Sequence, residues 1–286
     1  MANRTSIGPI LKWAGGKRQL LPEIMPLIDK SCSPYVEPFV GGGAVFLELQ
    51  PKEAIINDFN EELVNVYRTV RDDPEGLLAA LEKHERSNCA EYFYEIRAMD
   101  RSPAYAAMPA VEKAARIIYL NKTCYNGLYR VNSSGQFNAP YGRYKSPSIA
   151  NAPAILALSR YLRGGGIVIR QGDYREVLKD LQPGAFVYLD PPYMPLSSSA
   201  SFTGYTENGF GYEQQVALKE ECDKLREKGI AFLQSNSDCP EIRELYQGYA
   251  MRTVRAKRSI NSNAGKRGEI CEVLIYYAPT VTRPFR

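Results

Sequence analysis

Five short, unbroken apolar runs constrain most tightly what this chain can fold into. They are Tyr35-Val36 leading into Phe39-Val40, Ala54-Ile55-Ile56, Ile167-Val168-Ile169, Ala185-Phe186-Val187-Tyr188-Leu189 and Ile230-Ala231-Phe232-Leu233. Turn residues or charge bound each run, and each is continuous, the pattern of strands covered on both faces. Helix-like stretches separate several of them. In Tyr212 to Lys228, for example, Val216, Leu218, Cys222 and Leu225 mark an apolar stripe. This alternation predicts an α/β fold around a mostly parallel sheet, with Glu272-Val273-Leu274-Ile275-Tyr276-Tyr277 as a closing strand.

The stretch from about Leu63 to Ile149 breaks that rhythm. Its pattern is helical to Leu120, then polar, aromatic and rich in Asn and Gly from Asn121 to Lys145. No internal repeat or low-complexity linker interrupts it. At 286 residues the chain has room for one large domain or two modest ones. The simplest organisation is an α/β domain of residues 1–62 and 150–286 with a helical insertion, residues 63–149, carried inside it.

Composition removes several classes of function. No run approaches the roughly 20 apolar residues of a membrane helix. Met1 to Ser6 has no apolar signal core, so a cytoplasmic protein with no membrane partner is expected. The six cysteines (Cys32, Cys89, Cys124, Cys222, Cys239 and Cys271) form no Cys-x-x-Cys pair, and the single histidine is His84. Reduced thiols and no metal site are therefore expected. Any histidine-based acid–base chemistry would rest on His84 alone. Its setting, Glu82-Lys83-His84-Glu85-Arg86, is charged and predicts a surface histidine. The net charge of +4 is too mild to name a partner. Arg252, Arg255, Lys257, Arg258, Lys266 and Arg267 are more concentrated, and read either as a solvated face or as groups that neutralise phosphates.

Three constellations carry chemistry. Glu37-Pro38-Phe39-Val40-Gly41-Gly42-Gly43 joins a short strand to a helix start, and its glycines let backbone pass close to a ligand. Asp58, after the next strand, is placed to accept from ribose hydroxyls. A nicotinamide site or a ligand-free turn fits these residues too. Asp190-Pro191-Pro192-Tyr193 caps Phe186-Val187-Tyr188-Leu189, which puts a carboxylate at the carboxyl end of a buried strand. The prolines lack N–H groups, so nearby carbonyls remain acceptors. A carboxylate, a carbonyl and an aromatic face suit a base with an exocyclic amine; a proline-rich strand exit is the plainer reading. Finally, Lys12-Trp13-Ala14-Gly15-Gly16-Lys17 sets the only tryptophan between two lysines, either as a core anchor or as a loop folded over a charged cofactor.

In chain order, Lys12–Lys17, then Glu37–Gly43, then Asp190–Tyr193, these three motifs resemble those of the Dam-type DNA adenine-N6 methyltransferases, the D12 class in its alpha arrangement. There the glycine loop precedes the recognition insertion, and the insertion precedes Asp-Pro-Pro-Tyr. The resemblance runs over nearly the whole chain. It includes Tyr119-Leu120-Asn121, Tyr125-Asn126-Gly127-Leu128, Gln136-Phe137-Asn138 to Pro140-Tyr141-Gly142-Arg143-Tyr144-Lys145, Pro195-Leu196-Ser197 to Phe202, and Arg258-Ser259-Ile260-Asn261-Ser262-Asn263. Its nearest match is the GATC-methylating subgroup.

The resemblance implies a Rossmann-like methyltransferase domain with an inserted, mainly helical target-recognition domain. The methyl donor would be S-adenosyl-L-methionine, the product S-adenosyl-L-homocysteine, and no metal would take part. Trp13, Ala14, Gly15, Lys17, Glu37, Pro38, Phe39, Gly41, Asp58, Asp173, Tyr174 and Asp190 would line the cofactor site. Lys17 would meet the methionine carboxylate and Asp58 the ribose diol. Asp190 and the Pro191 carbonyl would accept from the adenine amine, Pro192 would stiffen the turn, and Tyr193 would stack on the flipped base. The partner would be double-stranded DNA. Tyr125 and Asn126 would fill the space the adenine leaves, and Leu128 and Arg130 would read base edges. Lys12 would touch an outer base pair, while Asn138, Pro140, Arg143, Tyr144 and Lys145 would face the DNA, the last three as phosphate-positioning groups. Core packing remains open for Tyr125 and Leu128. A monomer on the nucleoid, serving restriction–modification, DNA replication or a phage, is the expected setting. Cytosine-N4 methylation, a catalytically silent DNA-binding protein and a nicotinamide oxidoreductase are the competing functions.

Overall fold

The computed structural model describes residues 7–194, 210–257 and 269–279. Along the chain come α1 (Leu21–Ile24), β1 (Tyr35–Glu37), α2 (Ala44–Leu49) and β2 (Ala54–Asp58). The helices α3 (Glu61–Asp72), α4 (Pro74–Ser87), α5 (Ala90–Ala98), α6 (Ala110–Thr123) and α7 (Ala152–Arg163) follow, then β3 (Ile167–Gln171), α8 (Tyr174–Leu178) and β4 (Phe186–Leu189). The chain continues through α9 (Tyr212–Glu227), β5 (Ala231–Ser237), α10 (Pro240–Leu245), β6 (Ala250–Lys257) and β7 (Glu269–Tyr277).

The strands form one seven-stranded sheet in the order β3-β2-β1-β4-β5-β7-β6. β1 to β5 pair in parallel, while β7 runs antiparallel to both β5 and β6. β1 has β2 on one side and β4 on the other, which makes its carboxyl end the point where the strand order reverses. In open α/β sheets ligands bind in the crevice at such a point.

Side chains alternate across the sheet. Phe186, Tyr188 and Leu233 enter one buried cluster, and Val187, Leu189 and Phe232 the other. The second cluster is covered by Val177, Leu178, Leu218, Cys222, Leu225 and Ile242 of α8, α9 and α10. The first takes in Val45, Phe46 and Leu47 of α2, and also Leu63, Leu77, Phe93, Ile117 and Leu158 of α3 to α7. Helices α3 to α7 thus share a core with the sheet. Local signals set the helix starts: the Asn60, Asp73 and Asn151 side chains accept from Leu63, Gly76 and Ala154 N–H groups, and Pro74 occupies the first turn of α4.

Four sequence expectations need correction. Phe39-Val40 is not a continuation of β1, which ends before Pro38, a residue without an N–H for the ladder. Arg252, Arg255 and Lys257 lie on the edge strand β6, an element the sequence reading did not predict; Arg252 and Arg255 are exposed there, and Arg252 is ion-paired with Glu23. Charge on an edge strand hinders pairing with another chain. On α9 the stripe includes fully buried Gln215, and Val216 is only half-buried. His84 is 7% exposed, not a surface residue. Its ring stacks on Tyr119 at 4.9 Å between centroids, and Nδ1 meets the Tyr92 hydroxyl at 2.8 Å. Lys83, Glu85 and Arg86 point elsewhere on the helix, so a charged sequence neighbourhood says little about the one residue that faces inward. Burial pushes the imidazole down to about 4.

Candidate active site

The sheet's switch point gathers Glu37 at the end of β1 and Asp190 just past β4. Lys17 arrives from the N-terminal loop and is 4% exposed. Its ammonium lies 2.9 Å from Asp190 Oδ1, also donates to the Gly15 carbonyl, and sits 4.7 Å from the centroid of the Tyr193 ring. Ser235 of β5 donates to the same Oδ1 at 2.9 Å, and its own hydroxyl meets the Tyr188 phenol at 3.2 Å. Burial pushes the Asp190 carboxyl up, while Lys17 and Ser235 pull it back. Glu37 accepts from the Tyr35 hydroxyl at 2.6 Å, and burial pushes its carboxyl up to about 8.

The segment after Asp190 is held from three elements. Gln215 of α9 donates to the Pro192 carbonyl at 2.9 Å and accepts from Asn236 at 2.9 Å. Asn236 accepts from the Met194 N–H, and the Ser237 hydroxyl donates to the Met194 carbonyl at 2.8 Å. The Tyr193 hydroxyl donates to Glu272 of β7 at 2.6 Å.

Next to this lies the glycine loop. Gly41 (φ +49°) and Gly43 (φ +70°) take left-handed backbone, and a Cβ on Gly41 would stand 3.0 Å from Trp13 Cδ1. The Gly41 N–H donates to Asp58 Oδ2 at 2.9 Å, and the Asn60 N–H to Oδ1 at 3.0 Å. Asn57 ties the neighbourhood together, donating to the Pro38 and Gly172 carbonyls. Phe39 packs on Tyr174 at 5.0 Å and meets Phe210 edge-on at 6.2 Å. Phe59, directly after Asp58, is 60% exposed. Asp173 caps α8 and is paired with Arg175, which holds its carboxyl below the ordinary range.

The N-terminal loop also touches α6 and the segment that follows it. Trp13 is half-buried and stacks on Tyr129 at 4.8 Å, so it serves packing as well as lining the loop. Beyond α6, Tyr125–Gly127 forms a single 3-10 turn with Asn126 at φ +59°. Bridges Cys124–Tyr141 and Val131–Phe137 shape the following segment into a hairpin. Tyr125 and Asn126 are exposed and Leu128 half-buried, so Tyr125 is not a core residue. Arg130 is exposed, with Nε on Asn138 Oδ1 at 2.6 Å and Nη2 on the Asn138 carbonyl at 3.1 Å. Pro140 accepts from the Tyr125 N–H, Arg143, Tyr144 and Lys145 are exposed, and Lys12 Nζ lies 5.9 Å from the Tyr144 ring. The hairpin is anchored from behind: Asp100 accepts from the Phe137 N–H at 2.8 Å and is paired at 2.8 Å with Arg116, which is 2% exposed.

A model of the D12 class N6 adenine-specific DNA methyltransferases matches residues 13–260. The chain belongs to that family. Among its relatives is the Type II methyltransferase M1.LlaDCHI of Lactococcus lactis subsp. cremoris, 45% identical over 273 residues and covered to 96% in both chains. The Type II methyltransferase M.MjaIII of Methanocaldococcus jannaschii is 38% identical, over 94% of this chain and 98% of its own. The DNA adenine methylase of Escherichia coli K12 is also 38% identical, over 96% of each. This D12-class chain is therefore an adenine-specific DNA methyltransferase, and its seven-stranded sheet fits a methyltransferase fold.

Several residues of the candidate site escaped the sequence reading. Ser235, Asn236 and Ser237 extend a strand expected to end at Leu233, and all are buried. Their polarity made the run look finished, yet buried polar groups must be hydrogen-bonded, and theirs serve the 190–194 segment. Gln215, Glu272 and Phe59 gave no motif-level signal. Pro195 to Phe202 and Arg258 to Asn263, as well as Lys266 and Arg267, lie outside the described residues.

Proposed function

We propose that this enzyme methylates the N6 amine of adenine in GATC within double-stranded DNA, after the target base has turned out of the helix. One observation carries the reading. Lys17 and Ser235 both act on Asp190 Oδ1, and no described residue donates to Oδ2 or to the Pro191 carbonyl. That leaves two acceptors at the switch point for the two hydrogens of an exocyclic amine. Accepting them favours a pyramidal nitrogen, releases the lone pair that the ring otherwise withdraws, and stabilises the charge that develops there. Tyr193 would offer its ring for stacking, and Pro192 keeps the turn stiff.

S-adenosylmethionine, when bound, supplies an electrophilic methyl group. The residues present fit it. Asp58 is a half-buried acceptor suited to ribose hydroxyls, and Lys17 has used two of its three N–H groups on protein oxygens, leaving the third for a carboxylate. Phe39 and Tyr174, packed together beside Asp173, would border an adenine ring, and exposed Phe59 follows Asp58 directly. Trp13, Ala14, Gly15, Glu37, Pro38 and Gly41 complete the lining.

Residues 63–149 serve in this reading as the target-recognition unit of the monomer. Exposed Tyr125 and Asn126 take the place of the flipped base, Leu128 and Arg130 read base edges, and Lys12 contacts an outer pair. The bonds to Asn138 fix one edge of the Arg130 guanidinium, which favours a directed guanine contact. Pro140, Arg143, Tyr144 and Lys145 border the duplex. We place the enzyme in the cytoplasm on the nucleoid. Kinship with Type II methyltransferases supports a restriction–modification role, and kinship with a DNA adenine methylase supports a solitary one.

The test is methyl transfer from labelled S-adenosylmethionine to short duplexes carrying GATC or single-base variants of it. Label in N6-methyladenine of the intact site alone is the expected result. Transfer with another preference removes the roles given to Leu128 and Arg130, and label in N4-methylcytosine overturns the adenine assignment.

A further inference from the structure

Tyr193 is held at two places, its face by Lys17 and its hydroxyl by Glu272. Glu272 is half-buried on β7, where it stands opposite Ser237 in the antiparallel register. The position is a poor one for an acid. Burial and the nearby Asp190 both raise its carboxyl above the ordinary range, and Lys17, the ammonium that offsets it, is already in contact with Asp190. Val273, Leu274 and Ile275, the next residues of the strand, are fully buried and apolar. An acid kept at such a site needs a compensating partner, and the phenol of Tyr193 supplies it through a 2.6 Å bond.

We infer that Glu272 is a positioning residue for methyl transfer, which fixes, through the Tyr193 hydroxyl, the direction in which that ring projects. The backbone on either side of Tyr193 is already tied, by Gln215 at Pro192 and by Asn236 and Ser237 at Met194. What the backbone leaves undetermined is rotation of the side chain. A strong acceptor at the far end of the ring removes that freedom and holds the ring beside the Asp190 carboxylate. The base then meets a platform already in place, and a misplacement of about 1 Å at a reacting centre lowers rates by up to about a hundredfold. The inference rests on the proposed stacking role of Tyr193.

The test combines Glu272→Ala, Glu272→Gln, Tyr193→Phe, Tyr193→Ala and the Glu272→Ala/Tyr193→Phe double variant on a duplex the wild type methylates. Glu272→Ala and Tyr193→Phe should each lower kcat about tenfold, with KM for S-adenosylmethionine unchanged. Glu272→Gln, which keeps an acceptor oxygen, should restore most of the rate. The double variant should match either single one, because both remove the same bond. With 2-aminopurine at the target position, Glu272→Ala should change the emission of the extruded base, a readout that a general loss of stability would not move. Additive losses, or a Tyr193→Phe variant with wild-type kcat, would overturn the inference, and the second holds even if Glu272→Ala fails to fold. If Tyr193→Ala retains full transfer, the stacking role itself is wrong. If Tyr193→Ala is inactive while Glu272→Ala behaves as wild type, only the inference falls.

Discussion

The side chain of Asn121 closes two hydrogen bonds on the backbone of Lys12, accepting from its N–H at 2.9 Å and donating to its carbonyl at 2.8 Å. The same amide donates to the Gly127 carbonyl at 3.0 Å. One buried carboxamide therefore joins the loop that delivers Lys17 to the hairpin that carries Leu128 and Arg130. Trp13 on Tyr129 is a second link between the same two segments. Asn121→Ala leaves part-buried backbone groups at Lys12 and a buried carbonyl at Gly127 without their partner. A loss of about 2–3 kcal/mol in unfolding free energy is expected from urea titration. The variant should also discriminate less between intact and single-base-altered duplexes. A variant as stable and as selective as wild type would show that the staple is dispensable.

Lys17→Met should abolish methyl transfer and destabilise the fold. The ammonium is nearly fully buried against Asp190, and removing one partner of a buried pair typically costs about 3–5 kcal/mol because the other charge is stranded. Lys17→Met combined with Asp190→Asn should recover much of the stability but none of the activity. Thermal unfolding and a methyl-transfer assay on the same samples separate the two effects.

Glu37 should make stability fall as pH rises. Its carboxyl is pushed to about 8 in the folded protein, above its ordinary value of 4.5. Between those values the native state keeps a proton that the unfolded chain has lost. Stability from this group is thus complete below about pH 4.5 and is lost as pH rises to about 8, with a slope of at most about 1.4 kcal/mol per pH unit. Glu37→Gln cannot titrate, so its unfolding free energy should lack this slope. Equal pH dependence in the two proteins would show that the carboxyl is ionised in the fold.

His84 acts in the opposite direction. Its imidazole is pushed down to about 4 from an ordinary 6.5, so the unfolded chain binds a proton that the native state refuses. Stability from this group is full above about pH 6.5 and falls as pH drops toward 4. His84→Phe should lose that acid sensitivity while retaining the stack on Tyr119. Chemical denaturation at pH 7.5 and pH 5 for both proteins measures it. Because the Glu37 and His84 slopes oppose one another between pH 4.5 and 6.5, only differences between variant and wild type isolate either one.

Much of the architecture was legible because its causes are local. An apolar run commits to a strand, Asn60 or Asp73 commits to a helix start, and Gly41 and Gly43 permit a backbone turn, each through interactions within a few residues. The three motifs were visible for the same reason. β6 was hidden because its charged residues suit a solvated face as easily as an edge strand. β5 was cut short because Gln234, Ser235, Asn236 and Ser237 look like a strand exit until their partners are known.

By itself, the sequence determined the parallel α/β scaffold, the glycine turn, the position of Asp190 past β4 and, through its motifs, the family. Only the tertiary structure decided which groups act on those residues. Ser235 reaches Asp190 across 45 positions, Glu272 reaches Tyr193 across 79, and Asn121 reaches Lys12 across 109. It also decided that His84 is enclosed by aromatic rings and that burial pushes the Glu37 carboxyl up. The physical reason is common to all of these. Burial and hydrogen-bond partnership depend on what the fold brings alongside a side chain, and a polar residue gives little sign in sequence of whether it will face water or a distant carbonyl.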